Sequence, residues 1–93
     1  MYIFRLNRRE DVTGKSGTGA VVQGILTEDG VAIMRWLGDK PSTVIREPQN
    51  GSDVMDDVAS VHGHDGRTVI EWLVVAGSSQ VWTTNRELAS EIV

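Results

Sequence analysis

The chain contains no cysteine. Disulfides, thiolate metal sites and cysteine nucleophiles are thereby excluded, and a small domain that folds without cross-links fits a reducing interior. No apolar run approaches the roughly 18 residues of a membrane span. The N-terminal Met1-Tyr2-Ile3-Phe4-Arg5 lacks the long apolar stretch and small-residue cleavage site of a signal peptide. A cytoplasmic location is therefore expected. Aromatic residues are scarce, at 5%, yet three of them are tryptophans, Trp36, Trp72 and Trp82. Each sits in an apolar segment, and all three are expected to anchor the core.

What is present describes a folded domain. A length of 93 residues fits one domain. With 40% hydrophobic and 24% charged residues the chain is globular rather than disordered. The net charge of −4 argues against broad, non-specific binding to phosphate backbones. It leaves room for a local basic patch, for which Arg5, Arg8, Arg9 and Lys15 are the candidates.

Alternation of apolar and polar residues predicts strands over residues 2–6, 20–27, 31–37 and 42–46. Asp29-Gly30 between two apolar runs marks a hairpin. In the returning strand Met34 and Trp36 are assigned to the core, because Arg35 on the opposite side is easier to leave in water. Pro41 fits a second turn. A helix is predicted over residues 53–62, with Ser52 or Asp53 as cap, Asp56 and Asp57 near its positive end, and Val54, Val58 and Val61 as one apolar stripe. Gly63 stops it. A long strand follows over residues 67–75, then a short one over residues 80–84. The spacing of Thr84 and Glu87 predicts a capped terminal helix from Asn85, with Leu88 and Ile92 on one face.

The expected fold class is α+β, mostly β. The element order is β-β-β-β-α-β, forming a small antiparallel sheet or a partly open barrel with one packed helix. Residues 1–76 form the β-rich domain, and residues 77–93 form a C-terminal extension with a short strand and helix.

Several motifs suggest chemistry without completing it. The glycine-rich segment from Thr13 to Gly19 resembles a phosphate loop. The lysine of such a loop requires a glycine six residues earlier, where Arg9 stands, and the segment leads into a strand rather than a helix. His62-Gly63-His64-Asp65 offers two imidazoles and a carboxylate, but a zinc site needs three or four converging ligands. The bland role for His62 is contact with the last carbonyls of a helix. Ser42 with His62 or His64 could form a hydrolytic set, although no Gly-x-Ser-x-Gly elbow is present. No cofactor, metal or catalytic residue is assigned.

The blocks Asp11-Val12-Thr13-Gly14-Lys15-Ser16-Gly17-Thr18-Gly19 with Val21-Val22-Gln23-Gly24, Arg35-Trp36-Leu37-Gly38 with Pro41-Ser42-Thr43-Val44, and Val61-His62-Gly63-His64 with Gly66 and Glu71-Trp72 occur in order. Together they resemble a family of small conserved proteins of unknown function found in actinobacteria, their bacteriophages and some haloarchaea. The resemblance covers about Phe4 to Trp72 and leaves the tail from Leu73 outside. It implies a phage or prophage accessory gene acting in the host cytoplasm, and it supplies no catalytic residues. Val31 stands where members often carry threonine after the hairpin, and Lys15 also departs from the pattern, which further weakens the phosphate-loop reading.

The leading expectation is a non-enzymatic, phage-type accessory protein that binds a protein partner, such as a host protein, and can self-associate. The contact residues are placed at Val81, Trp82, Leu88 and Ile92. Two alternatives stand beside it. One is a nucleic-acid-binding β-barrel using Arg5, Arg8, Arg9 and Lys15. The other is a small hydrolase or metal-dependent enzyme at the His62/His64 turn.

Overall fold

The computed structural model describes residues 1–9, 19–63 and 66–93. Lys15, His64 and Asp65 lie outside them. Six strands are formed: β1 (Tyr2–Arg8), β2 (Gly19–Leu26), β3 (Ala32–Trp36), β4 (Ser42–Arg46), β5 (Thr68–Ala76) and β6 (Ser79–Thr83). One α-helix, α1 (Val54–His62), connects β4 to β5. All strands belong to one sheet in the order β4-β3-β2-β1-β5-β6, and every pairing is antiparallel. The strands at its two ends, β4 and β6, are not paired with each other, so the sheet is open and not a barrel.

Alternation determines what enters the core. Successive side chains on a strand point to opposite faces. Phe4 and Leu6 of β1 lie level with Gly24 and Val22 of β2 and with Trp72 and Ile70 of β5. Met34 of β3 and Val44 of β4 continue the Phe4 level. This face carries the main cluster, in which Phe4, Leu6, Val22 and Met34 are fully buried. α1 covers it with Val54, Met55 and Val58. Met55 replaces Val61 in the expected stripe. Val61, in the last turn, is exposed beside a groove facing β4.

The helix begins where the sequence indicates. The Asp53 carboxylate accepts the Met55 N–H at 2.9 Å, and the Gly63 N–H closes the far end on the Ala59 carbonyl. The β2–β3 hairpin turns at Gly30, whose φ of 85° favours glycine. The Thr27 hydroxyl accepts the Val31 N–H at 2.9 Å and braces it.

The tail departs from the predicted helix. Asn85, not Thr84, caps a single 3-10 turn, Arg86–Leu88, and Ala89 is already extended. The Ser90 N–H then donates to the Leu73 carbonyl, and Met1 and Ile92 exchange two backbone hydrogen bonds. A short helix is marginal alone. Here the sheet offers partners for the same backbone groups, so the tail lies against β5 and the N-terminus.

One close approach holds the centre of the sheet. The Phe4 ring lies flat across Gly24, and a β-carbon at position 24 would overlap three of its ring atoms. Gly24→Ala should therefore cost about 1–3 kcal/mol through overpacking. The check is the denaturant midpoint followed by circular dichroism, and an unchanged midpoint would show that the ring can move aside.

Candidate functional site

α1 leaves the other sheet face without a covering element among the described residues. The side chains there follow from register. One level reads Ile45, Ile33, Ile25 and Ile3 across β4, β3, β2 and β1. Leu73 and Trp82, paired on β5 and β6, lie on this face too. Leu73 is buried but stands apart from the main core cluster, as its position on the opposite face requires. The neighbouring level is polar: Thr43, Arg35, Gln23, Arg5 and Glu71. An apolar row and a polar row thus run side by side across the strands. Between them lies an open groove of about 490 Å³.

The polar row is ordered by its own contacts. Arg5 Nε donates to Glu71 Oε1 at 2.7 Å, and Asn7 Nδ2 donates to the same oxygen at 3.0 Å. The Arg5 guanidinium also stacks on the Trp82 ring, 4.2 Å from its centroid. Arg35 donates to the Thr43 hydroxyl at 3.0 Å and meets no carboxylate among the described residues. Arg5 is therefore compensated, while Arg35 offers an open positive charge.

The contact residues proposed from sequence are not gathered on one surface. Val81 and Trp82 are consecutive on β6 and point to opposite faces. Trp82 does not join the expected core with Trp72 but lines the open groove. Leu88 is 61% exposed on the 3-10 turn, and Ile92 is half-buried where it bonds to Met1. The basic set also divides. Arg5 lies on the open face, Arg8 is buried against Thr68 on the helix face, Arg9 is exposed past the end of β1, and Lys15 is outside the described residues. What sequence reading missed is the isoleucine row. Its signal was present in strands whose two faces are both apolar, such as Ile33 beside Met34.

Trp36 joins two of the three residues suspected of hydrolytic chemistry, Ser42 and His62. Ser42 is its cross-strand partner, and the His62 ring meets its indole edge-on at 5.1 Å. His64 and Asp65 lie outside the described residues. Among the described residues no group of three or more histidine or carboxylate side chains gathers to hold a metal. Among the described residues no helix is long and apolar enough to cross a membrane.

The fold and this face define a two-layer α+β protein, one antiparallel sheet with one helix on one side. The chain belongs to the Acb5 phage protein family, whose model matches residues 1–74. Searches of curated proteins and of solved structures found no significant match. The family match ends within β5, so Trp82 and the tail lie beyond it.

That tail is clasped to the domain at one charged point. The Arg86 guanidinium pairs with the Asp53 carboxylate and reaches over the Trp72 ring, 5.3 Å from its centroid. Partial burial alone would raise the Asp53 pKa. The Met55 N–H and the Arg86 charge outweigh it and hold the carboxyl below its ordinary value. A depressed folded pKa contributes stability above the unfolded value, near 3.9, and that contribution is lost as pH falls through the folded value. Asp53→Asn keeps the cap acceptor and removes the charge. The variant should be less stable than the parent at pH 7, and the gap should narrow as pH falls below about 4. Denaturant midpoints measured from pH 7 down to pH 2 check this, and a gap that does not narrow over that range would assign the loss to capping instead.

Proposed function

We propose that this phage protein is a non-enzymatic accessory protein that binds a host protein through the open face of its sheet. The carrying observation is the isoleucine row. Four β-branched side chains cross four adjacent strands at one level, and Ile45 at the sheet edge remains 62% exposed. A contiguous apolar strip with a polar border is the usual composition of a protein-binding surface. Trp82, already a candidate contact from sequence, adds a rigid aromatic wall to the groove.

A nucleic-acid interface is the weaker reading. Such a surface needs several cations tracking a backbone, with aromatics open for stacking. Arg5 is tied to Glu71 and already covers Trp82, and Arg8 is buried on the opposite side. Among the described residues of the polar row, Arg35 is the cation that no carboxylate compensates.

Ile45 and Leu88 are almost equally exposed, at 62% and 61%, so an aspartate is tolerated at either without opening the core. Tagged parent, Ile45→Asp and Leu88→Asp proteins are to be compared as baits in nuclease-treated host lysate. The expected result is one host protein, identified by mass spectrometry, captured by the parent and by Leu88→Asp and lost with Ile45→Asp. Loss with Leu88→Asp alone would move the surface to the tail. Retention by both variants would remove the open face as the site.

A further inference from the structure

We propose that the segment seated on the open face is an acidic amphipathic α-helix of the partner protein, lying along the isoleucine row. This deepens the binding reading above and rests on it. Adjacent strands lie about 4.8 Å apart, so the row from β4 to β6 spans five intervals, about 24 Å. An α-helix rises 1.5 Å per residue and covers that length in about 16 residues. Its apolar stripe meets Ile45, Ile33, Ile25 and Ile3 and ends against Leu73 and Trp82.

Charge sets the chemistry of the helix flank. Arg35 and Arg5 stand level with each other on β3 and β1, both opposite Gln23 of β2. Two strand intervals separate them, about 10 Å at the backbone. Two helical turns, seven residues, cover nearly the same distance and return to the same flank. A carboxylate on that flank of the docked helix meets Arg35, and one seven residues on comes level with Arg5, whose guanidinium it shares with Glu71. Arg35 takes the stronger part, since among the described residues it meets no carboxylate, whereas Arg5 is shared with Glu71. The chain as a whole carries a net charge of −4, so the uncompensated positive charge of Arg35 orients an acidic partner toward this face.

Area argues against a second copy of the chain as occupant. Five residues of strand span about 17 Å, so the level part of the face offers on the order of 400 Å². A stable protein–protein interface takes about 800 Å² from each partner. A single helix needs only the groove and its rim.

The probe is a synthetic 16-residue helical peptide with an apolar stripe and glutamates seven residues apart on one flank, compared with the same peptide carrying lysines there. Each is titrated into the isotope-labelled full chain and followed by amide chemical shifts. Shifts should centre on Ile25, Ile33 and Arg35. The acidic peptide should bind about fivefold more tightly, the upper range for one exposed ion pair. Arg35→Glu, an exposed substitution, should reverse that order, and high salt should flatten it. Equal affinities for the two peptides, or shifts centred on α1 or the tail, would overturn the proposal. So would concentration-dependent self-association that protects the same amides, which would make a second copy the occupant. The two readings fail separately. A host protein lost with Ile45→Asp, without any acidic preference, leaves the open-face reading and removes the helix. An acidic preference without a captured host protein leaves the helix chemistry and removes the host reading.

Discussion

One nine-residue helix has to cover a six-stranded sheet, and it can cover only one face. At 1.5 Å per residue α1 is about 14 Å long, shorter than the width of the sheet beneath it. It is placed where it removes most apolar area from water. Val54, Met55 and Val58 meet the face carrying Phe4, Leu6, Val22 and Met34. Each such side chain contributes about 1.5–3 kcal/mol on full burial. The Phe4 ring reaches this packing by lying across Gly24, the one position at that level without a side chain. Because β1 alternates along its length, the choice of face for Phe4 assigns Ile3 and Arg5 to the other side. The open face is thus fixed by the core.

Trp72 connects the remaining parts. Its ring is 5.4 Å from Phe4 and 6.3 Å from Tyr2, and Arg86 of the tail lies over it. β1, β5 and the C-terminal turn meet at this indole. The hydrogen bonds between Met1 and Ile92 close the same corner from the backbone side. The tail is therefore part of the domain's framework, and Leu88 is an exposed side chain on a held backbone. Removal of the tail would therefore disturb the fold, whereas a substitution at Leu88 leaves these backbone contacts in place.

Local signals in the sequence carried most of the secondary structure and little of its arrangement. Alternation located the strands, Asp29-Gly30 located the hairpin, and Asp53 and Gly63 bounded the helix, because each of these acts within a few residues. Strand order was not legible in the same way. β5 pairs with β1 across sixty residues or more, and no short pattern specifies that neighbour. The tail was misread for a related reason. Thr84 and Glu87 have helix-cap spacing, but the competing sheet partners, Leu73 and Met1, are distant in sequence. Trp82 was assigned to the core by residue type, whereas its register decides otherwise. Gly77 turns β5 into β6 so that Trp82 opposes Leu73, and Leu73 lies one residue from the core side chain Trp72.

The same reasoning gives the open face its meaning. A sheet that shows one side to water alternates cleanly between apolar and polar residues, while strands covered on both sides are apolar on both. In this chain the two patterns divide by level. At the level of Arg5, Gln23, Arg35 and Thr43 the outward side chains are polar, as water requires. One step along the strands, at the level of Ile3, Ile25, Ile33 and Ile45, they are uniformly β-branched and apolar. Strand propensity could be met by threonine at any of these positions, as it is at Thr43. Four isoleucines at one level, with leucine and tryptophan on the same face, therefore exceed what the sheet needs to form. They match a surface that is covered along one line and wet along the next, and that pairing of apolar and charged lines is what an amphipathic helix presents.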